Sequence, residues 1–267
     1  MGTTPVSSTS PSNGLINALT GGVVKIIVGK DDTQPIFTIH KNIFQGKAHA
    51  FETMFGGAFL EGITGSAELP DDDHEAFEVF MEWLYQNTLN SLSDEKTDNG
   101  AFGLKIAKTM VFADKYCLNE LSDRAVAIWF RRRLKPLSAT DLETITTYVV
   151  ANSAPTCRAR GFLARIWAKE IRQKDGKHYK PGQSGIESFT SDSSFIAQIF
   201  NYVGFLGNTK TSSTSLNACT FHIHDRLAAC PYESLDAPIA VPVNLKKRSS
   251  ITAPPLVPMV RKRGRMI

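Results

Sequence analysis

The chain has 267 residues, 42% of them apolar, and is therefore long enough to form one or two domains with hydrophobic cores. Its 30 basic and 26 acidic residues give a net charge of +4, but seven of the basic residues and no acid follow position 244. Residues 1–244 thus hold 23 basic against 26 acidic residues, a net charge of −3. A globular nucleic-acid binder usually carries its basic patch on the folded body, so this distribution disfavours direct nucleic-acid binding.

Cysteine content and hydropathy indicate an intracellular protein. The four cysteines are too few and too widely spaced for a disulfide scaffold. The N-terminal residues lack the basic and apolar regions of a secretory signal. No apolar run approaches the roughly 18 residues that a membrane span needs. We therefore expect a reducing compartment and no membrane insertion.

The first predicted elements form a small sheet with short helices. Residues 1–20 are expected to be disordered apart from one apolar helical turn. The segment "VVKIIVG" (23–29) predicts a strand that pairs with a second strand at 35–40 as a hairpin. Residues 41–59 predict two short helices broken near Gly46, and 65–70 predict a brief strand.

The remaining predicted elements are helices. Residues 71–87 form the strongest helical pattern, because Phe77, Phe80, Met81 and Leu84 recur on one face, with Asp72 and Glu75 as a capping pair. After a polar loop at 91–100, apolar spacing predicts helices at 101–117 and 119–134. Those two helices are expected to bury the following side chains: Ile106, Met110, Ala113, Cys117, Leu121, Ala125, Ile128 and Trp129. Further helices are predicted at 138–150, with Ser138 and Asp141 as its start signal, at 156–172 and at 193–206.

Five segments, in the same order, resemble a BTB/POZ domain of the type found widely in filamentous fungi. They are "VVKIIVG", "FTIHKNIF", "FETMFGGAFLEG", "AELPDDDHEAFEVFMEWLYQNTL" and "VFADKYCLNELSDRA". Together they span residues 22–134, about 110 residues, and the pattern is specific because all five occur. Many relatives carry an acid at the start of the first strand, where this chain departs from the pattern with Val23.

The resemblance implies an α+β fold, a helical cluster flanked by a short β-sheet, with no active site. The expected organisation is a disordered N-terminus (1–20), a BTB/POZ domain (21–134), a helical extension (137–206) and a low-complexity tail (207–267). Such domains bind proteins: they self-associate, recruit transcriptional corepressors, or dock on the cullin scaffold of a ubiquitin ligase. The leading hypothesis is a non-enzymatic interaction module; the alternatives are a substrate adaptor of a cullin-type ligase and a zinc-dependent nucleic-acid binder.

Candidate interaction residues follow from these alternatives. Self-association would use the N-terminal apolar turn and the helix from 42 to 51, and docking on a cullin would use the helix end around 82–85. The candidates for the two roles are Leu15, Ile16, Leu19, Phe44, Phe51, Glu82 and Tyr85.

His40 is the first candidate for chemistry, because a histidine at a strand end beside a lysine can act as a general base. No nucleophile motif accompanies it in the sequence. We therefore expect His40 to be a structural histidine at the corner between a strand and a helix.

The segment "CTFHIHDRLAAC" (219–230) contains four metal-ligand residues within twelve positions: Cys219, His222, His224 and Cys230. Two thiolates and two imidazoles suit a tetrahedral, structural zinc ion. The alternative is a hydrophobic strand that docks on the helical body without a metal.

Two basic clusters in the tail, separated by 12 residues, resemble a bipartite nuclear localisation signal that an import receptor would bind. Their members are Lys246, Lys247, Arg248, Arg261, Lys262, Arg263 and Arg265. The tail could instead be a nucleic-acid-binding arm or a solvated end without a role. The expected location is the nucleus, the cytoplasm or both.

Overall fold

A computed structural model describes most of the chain as far as the end of the last helix. The described residues are 16–30, 34–93, 98–132, 137–172, 189–208, 218–223, Cys230 and Tyr232. The fold is α+β, as the sequence predicts, and it is mostly helical with a small three-stranded sheet. None of the helices in these ranges is both long and apolar enough to cross a membrane.

The described elements follow the predicted order, with one added α-helix, Leu60–Thr64, that was not predicted. Strands and α-helices run in the order β1 (Val23–Val28), β2 (Ile36–His40), α1 (His49–Gly56), α2 (Leu60–Thr64), β3 (Ser66–Leu69), α3 (His74–Gln86), α4 (Asn99–Lys115), α5 (Asn119–Arg131), α6 (Ala139–Asn152), α7 (Arg158–Arg172) and α8 (Ser193–Asn208). Short 3-10 helices occupy Lys41–Phe44, Asn90–Leu92 and Ala218–Thr220. Residues 16–18 form the predicted helical turn.

The sheet has the order β2-β1-β3. β1 and β2 form the predicted antiparallel hairpin, in a register that pairs Val23 with His40 and Ile27 with Ile36. β3 pairs with β1 in parallel, with Lys25 opposite Ser66, and the sequence pattern does not predict this pairing. Alternate residues of β1 (24, 26 and 28) are buried, so one face of the sheet packs on the helices.

Aromatic side chains form the centre of the core. The ring of Phe51 on α1 stacks 5.1 Å from that of Phe80 on α3, and the ring of Phe112 on α4 lies 5.3 Å from that of Phe80. α3 buries Phe77, Phe80 and Leu84 as predicted, although Met81 is only half-buried. Its N-cap is Asp73, not Asp72, because the Asp73 carboxylate accepts the backbone N–H of Ala76.

Two predicted core positions at the ends of α4 and α5 need correction. Ile106, Met110 and Ala113 are buried, but Cys117 is exposed because α4 ends at Lys115 and Cys117 has a φ of 56° in the turn that follows. Trp129 on α5 is half-buried and contacts the rings of Phe102 and Phe162. The other predicted side chains of α5 are buried.

The last three helices pack on the preceding ones, so α6 to α8 continue the same folded body. Ser138 caps α6 as predicted, since its hydroxyl accepts the backbone N–H of Asp141. α6 approaches α4 closely at Gly103, where a Cβ would lie 2.7 Å from Cδ1 of Ile145. Trp167 on α7 donates its indole N–H to the Thr146 hydroxyl of α6 at 2.9 Å, inside the core.

Candidate metal centre and interaction surfaces

Three of the four predicted metal ligands lie together. One ligand atom from each of Cys219, His222 and Cys230 falls within 4.8 Å of the other two, and all three side chains are half-buried. Nδ1 of His222 is 3.3 Å from Sγ of Cys230. The fourth predicted ligand, His224, lies outside the described residues. Neither Cys219 nor Cys230 is in a disulfide, so the arrangement offers two sulfur donors and one imidazole.

The backbone around these donors is anchored on α5. The 3-10 helix at Ala218–Thr220 ends with the backbone N–H of Phe221 donated to the carbonyl of Ala218. The Phe221 ring packs edge-on against Phe162 of α7 at 5.0 Å and stacks with Phe130 of α5. The backbone N–H of Ile223 is donated to both carboxylate oxygens of Asp123, at 3.2 and 3.1 Å.

The strand considered as the alternative to a metal site is not seen in the described part of this segment, because Ala218–Thr220 form a 3-10 helix. Sequence reasoning also missed Asp123, a carboxylate on α5 that is buried and bonded to Arg158 Nη1 at 2.7 Å. The sequence feature that could have pointed to Asp123 is an acidic residue on the apolar face of a predicted helix. A buried acid needs partners, and its partners here come from distant parts of the chain.

His40 bonds to Tyr85 at the corner between β2 and the following 3-10 helix. The Tyr85 hydroxyl accepts the backbone N–H of His40 at 2.9 Å and lies 3.0 Å from Nδ1 of the same residue. The imidazole thus faces a phenol from α3. This position favours the expected structural role.

Glu82, predicted as a cullin contact, is engaged within the molecule. Its carboxylate accepts the backbone N–H of Ser91 at 3.0 Å and the hydroxyl of Thr88 at 3.2 Å. It thereby fixes the turn that follows α3. Tyr85 is held in a similar way by His40. Both residues stabilise local structure in this arrangement, which weakens their candidacy as partner contacts.

The predicted self-association residues divide into exposed and buried groups. Ile16 is 63% and Leu19 42% exposed, so both can contact a partner. Phe44 and Phe51 are fully buried against the aromatic core, which corrects their assignment as interface residues. Leu15 lies outside the described residues.

A second exposed apolar group was not predicted. Phe59, Leu60 and Ile63, which we call the α2 apolar group, are 58%, 70% and 74% exposed, and α2 buries none of its residues. The sequence signal was a run of large apolar residues between two glycine-containing turns. The predicted elements end at residue 59 and resume at 65, so the helix that carries Leu60 and Ile63 was not predicted.

A polar cleft of about 460 Å³ lies between the start of α3, α4 and the end of α6. Its charged groups are paired: Lys108 bonds Asp73 at 2.8 Å, and Lys115 bonds Asp72, also at 2.8 Å. Tyr116 donates its hydroxyl to Asp72 at 2.7 Å, and burial together with that carboxylate raises the pKa of Tyr116 well above its ordinary value. These contacts tie α3 to α4.

The basic clusters of the tail, from Lys246 to Arg265, lie outside the described residues.

The sequence matches no protein-family model, and no curated protein is significantly similar to it. Assignment of function therefore depends on the geometry above and on the motifs in the sequence.

Proposed function

We propose that this chain is a non-enzymatic protein-interaction protein, with a BTB-type domain over residues 21–134 that self-associates and recruits partners. The motif series quoted above supports the domain assignment. The order of elements is in keeping with it: a hairpin, short helices and a third strand lead into the helices α3, α4 and α5.

The observation that carries the proposal is the distribution of exposed apolar side chains. Among the described residues, all the large exposed apolar side chains except Phe200 and Ile223 lie between positions 16 and 63. Large apolar side chains exposed on a soluble protein are candidates for a binding site. We assign Ile16, Leu19 and Val23, which we call the N-terminal apolar group, to contact with a second copy of the chain. The α2 apolar group is the second surface, to which we assign contact with a different protein.

The polar groups support a non-enzymatic role. His40 faces Tyr85, and the cleft carboxylates of Asp72 and Asp73 are bonded to lysines and a tyrosine. Each of these contacts stabilises the packing of strands and helices. General acid–base chemistry would instead need such groups directed at a substrate position.

Size-exclusion chromatography with light scattering tests self-association. The full-length chain has a mass of 29.3 kDa, and we expect a mass twice that value at tens of micromolar, falling on dilution. A constant monomer mass over the same range contradicts the proposal. A variant with Phe59→Asp and Ile63→Asp should keep the dimer mass, because these residues belong to the second surface.

The alternative role as a substrate adaptor of a cullin-type ligase rests on the family resemblance alone. The residues first assigned to it, Glu82 and Tyr85, make intramolecular bonds. Co-purification of a cullin that is lost in the Phe59→Asp, Ile63→Asp variant would favour this role. A cullin retained by that variant would exclude the α2 apolar group as its docking site.

We also propose that the tail directs the protein to the nucleus through an import receptor. Two basic clusters separated by 12 residues support this assignment. Replacing Lys246, Lys247 and Arg248 with alanine should reduce nuclear accumulation of a fluorescent fusion. If nuclear accumulation is unchanged in that variant and also after replacement of the second cluster, the nuclear-import proposal is wrong.

A further inference from the structure

We propose that Cys219, His222 and Cys230 bind one zinc ion that holds the segment after α8 against α5. The proposal is independent of the interaction function above, and it rests on the identity, spacing and anchoring of the three donors.

The donor geometry is close to that of a zinc site. With Zn–S near 2.3 Å and Zn–N near 2.0–2.1 Å, the sulfur and nitrogen of a tetrahedral site are about 3.6 Å apart. Nδ1 of His222 and Sγ of Cys230 are 3.3 Å apart, and the set with Cys219 lies within 4.8 Å. Small side-chain movements therefore suffice to place all three atoms around one ion.

The chemistry of the donors selects the metal. Two thiolates with an imidazole suit Zn²⁺, whereas Mg²⁺ and Ca²⁺ prefer oxygen ligands. A divalent cation would also neutralise the two thiolates, and the Asp123 carboxylate is bonded nearby to the backbone N–H of Ile223. The sequence offers His224 as a fourth donor, but the proposal depends only on the three described residues.

The site is built on a scaffold that does not need the metal. The residues on either side of His222 are both fixed: Phe221 lies in the aromatic group with Phe130 and Phe162, and Ile223 is bonded to Asp123. The ring of His222 also packs edge-on against Tyr232, with centroids 4.9 Å apart. Prior positioning of a ligand lowers the entropic cost of binding.

A zinc ion would join positions that the chain separates. Cys219 and His222 belong to the segment 218–223, which packs against α5. Cys230 lies further along the chain, after residues that are outside the described part. Coordination would hold residue 230 at the helical body. Because metal binding that requires a folded site stabilises that fold, zinc should slow hydrogen exchange across 218–223.

The test is the zinc content of full-length protein purified in a reducing buffer without chelator. We expect about one zinc per chain by elemental mass spectrometry, as for a closed structural site. Cys219→Ser, His222→Asn and Cys230→Ser should each lose most of it. Cys117→Ser and His49→Asn, which change an exposed cysteine and an exposed histidine, are the controls and should retain it.

Two further readouts separate coordination from misfolding. Cobalt substitution should give thiolate-to-cobalt charge-transfer absorption, and Cys230→Ser should abolish it. The circular dichroism of the Cys230→Ser variant should match that of chelator-treated wild type, which shows that the variant is folded. In the wild type, hydrogen exchange at 218–223 should be slower with zinc than without it. In the ligand variants, zinc should leave the exchange rate unchanged. Any one of three results would overturn the proposal. The reconstituted protein could hold well below one equivalent of zinc, a Cys219–Cys230 disulfide could form in place of the metal site, or the ligand variants could keep their zinc.

Discussion

The hydroxyl of Tyr85 joins α3 to the end of β2 by accepting the backbone N–H of His40 at 2.9 Å. The same oxygen lies 3.0 Å from Nδ1 of His40 and can donate its proton there when the imidazole is protonated on Nε2. One side chain thus completes the hydrogen bonding of the corner that the sequence marks with "FTIHKNIF". This relationship gives His40 a structural role.

Removing this hydroxyl should destabilise the fold without affecting distant surfaces. Tyr85→Phe leaves the His40 N–H unpaired and should lower the free energy of unfolding by about 0.5–1.5 kcal/mol. His40→Ala should lower the melting temperature as well. His49→Ala, which changes an exposed histidine, is the control and should have little effect. If urea unfolding shows Tyr85→Phe and His40→Ala to be as stable as wild type, the structural assignment of His40 is wrong.

Arg160 connects the end of α6 to the start of α8. Its buried guanidinium donates to the carbonyls of Val150 and Ser153 at 2.7 and 2.8 Å, and to the Asp192 carboxylate at 2.6 Å. Arg160→Ala removes the buried guanidinium, leaves these half-buried acceptors without their donor, and should cost about 1–3 kcal/mol of stability. Arg160→Lys should be intermediate, because an ammonium group cannot form the same fork of bonds.

Lys169→Ala on the same helix provides the control. Lys169 is half-buried, and its replacement should change stability by about 0.5 kcal/mol or less. Chemical denaturation of the three variants measures the differences. An Arg160→Lys variant with the stability of wild type would show that the forked contacts contribute little.

Asp192 should make stability dependent on pH in the acid range. The Ser194 hydroxyl, the backbone N–H of Phe195 and the Arg160 guanidinium lower the pKa of Asp192 to about 2, from an ordinary value of 3.8. Because the folded-state pKa is the lower one, the carboxylate stabilises the fold above pH 3.8. That contribution is lost as the pH falls from 3.8 through about 2.

The measurement is the difference in unfolding free energy between wild type and Asp192→Asn as a function of pH. We expect a constant difference at neutral and mildly acid pH, which shrinks between 3.8 and about 2. A difference that does not change with pH would show that the carboxylate charge plays no part in this contact.

The close approach of α4 and α6 leaves little room for a side chain at position 103. A Cβ there would lie 2.7 Å from Cδ1 of Ile145 and 3.1 Å from the Trp129 ring. Gly103→Ala should therefore destabilise the protein by about 1–3 kcal/mol, more than alanine gains in helix propensity. At Gly204 on α8, where no heavy atom lies within 4 Å, the same exchange should stabilise by about 0.5–1 kcal/mol.

Thermal and urea unfolding of the two glycine variants should thus give shifts of opposite sign. Equal shifts would contradict the close packing of α6 on α4. The comparison tests whether the helices after residue 137 are part of one folded body with the helices before it.

Local sequence patterns predicted most of the elements, because those elements have their own periodicity or cap, whereas the short helix α2 has neither a side-chain cap nor a buried face and was not predicted. The helix start at Ser138 and the hairpin of β1 and β2 are confirmed in detail. The parallel pairing of β1 with β3 was not predictable, since alternation of apolar residues specifies a strand and not its neighbour. Cys117 was misplaced because a turn with positive φ interrupts the helical spacing.

The candidate sites were predicted less completely because they depend on contacts between distant residues. The spacing of Cys219, His222 and Cys230 was visible in the sequence, but their anchor, the bond from Ile223 to Asp123, spans 100 residues. Similarly, Phe44 and Phe51 are large apolar residues of the kind found at interfaces, and only the fold places them in the core. Phe51 packs against α3 and α4, and Phe44 stacks on Phe51. The exposure of the α2 apolar group also depends on what the rest of the fold leaves uncovered.

The most direct test of the central claim compares the solution mass of the wild-type chain with that of an Ile16→Asp, Leu19→Asp variant. Sedimentation equilibrium at tens of micromolar should give a dimer for wild type and a monomer of 29.3 kDa for the variant, at equal helical content. Phe200→Asp, which charges an exposed apolar residue on α8, should remain dimeric. A monomeric wild type, or a double variant as dimeric as wild type, would contradict self-association through the N-terminal apolar group.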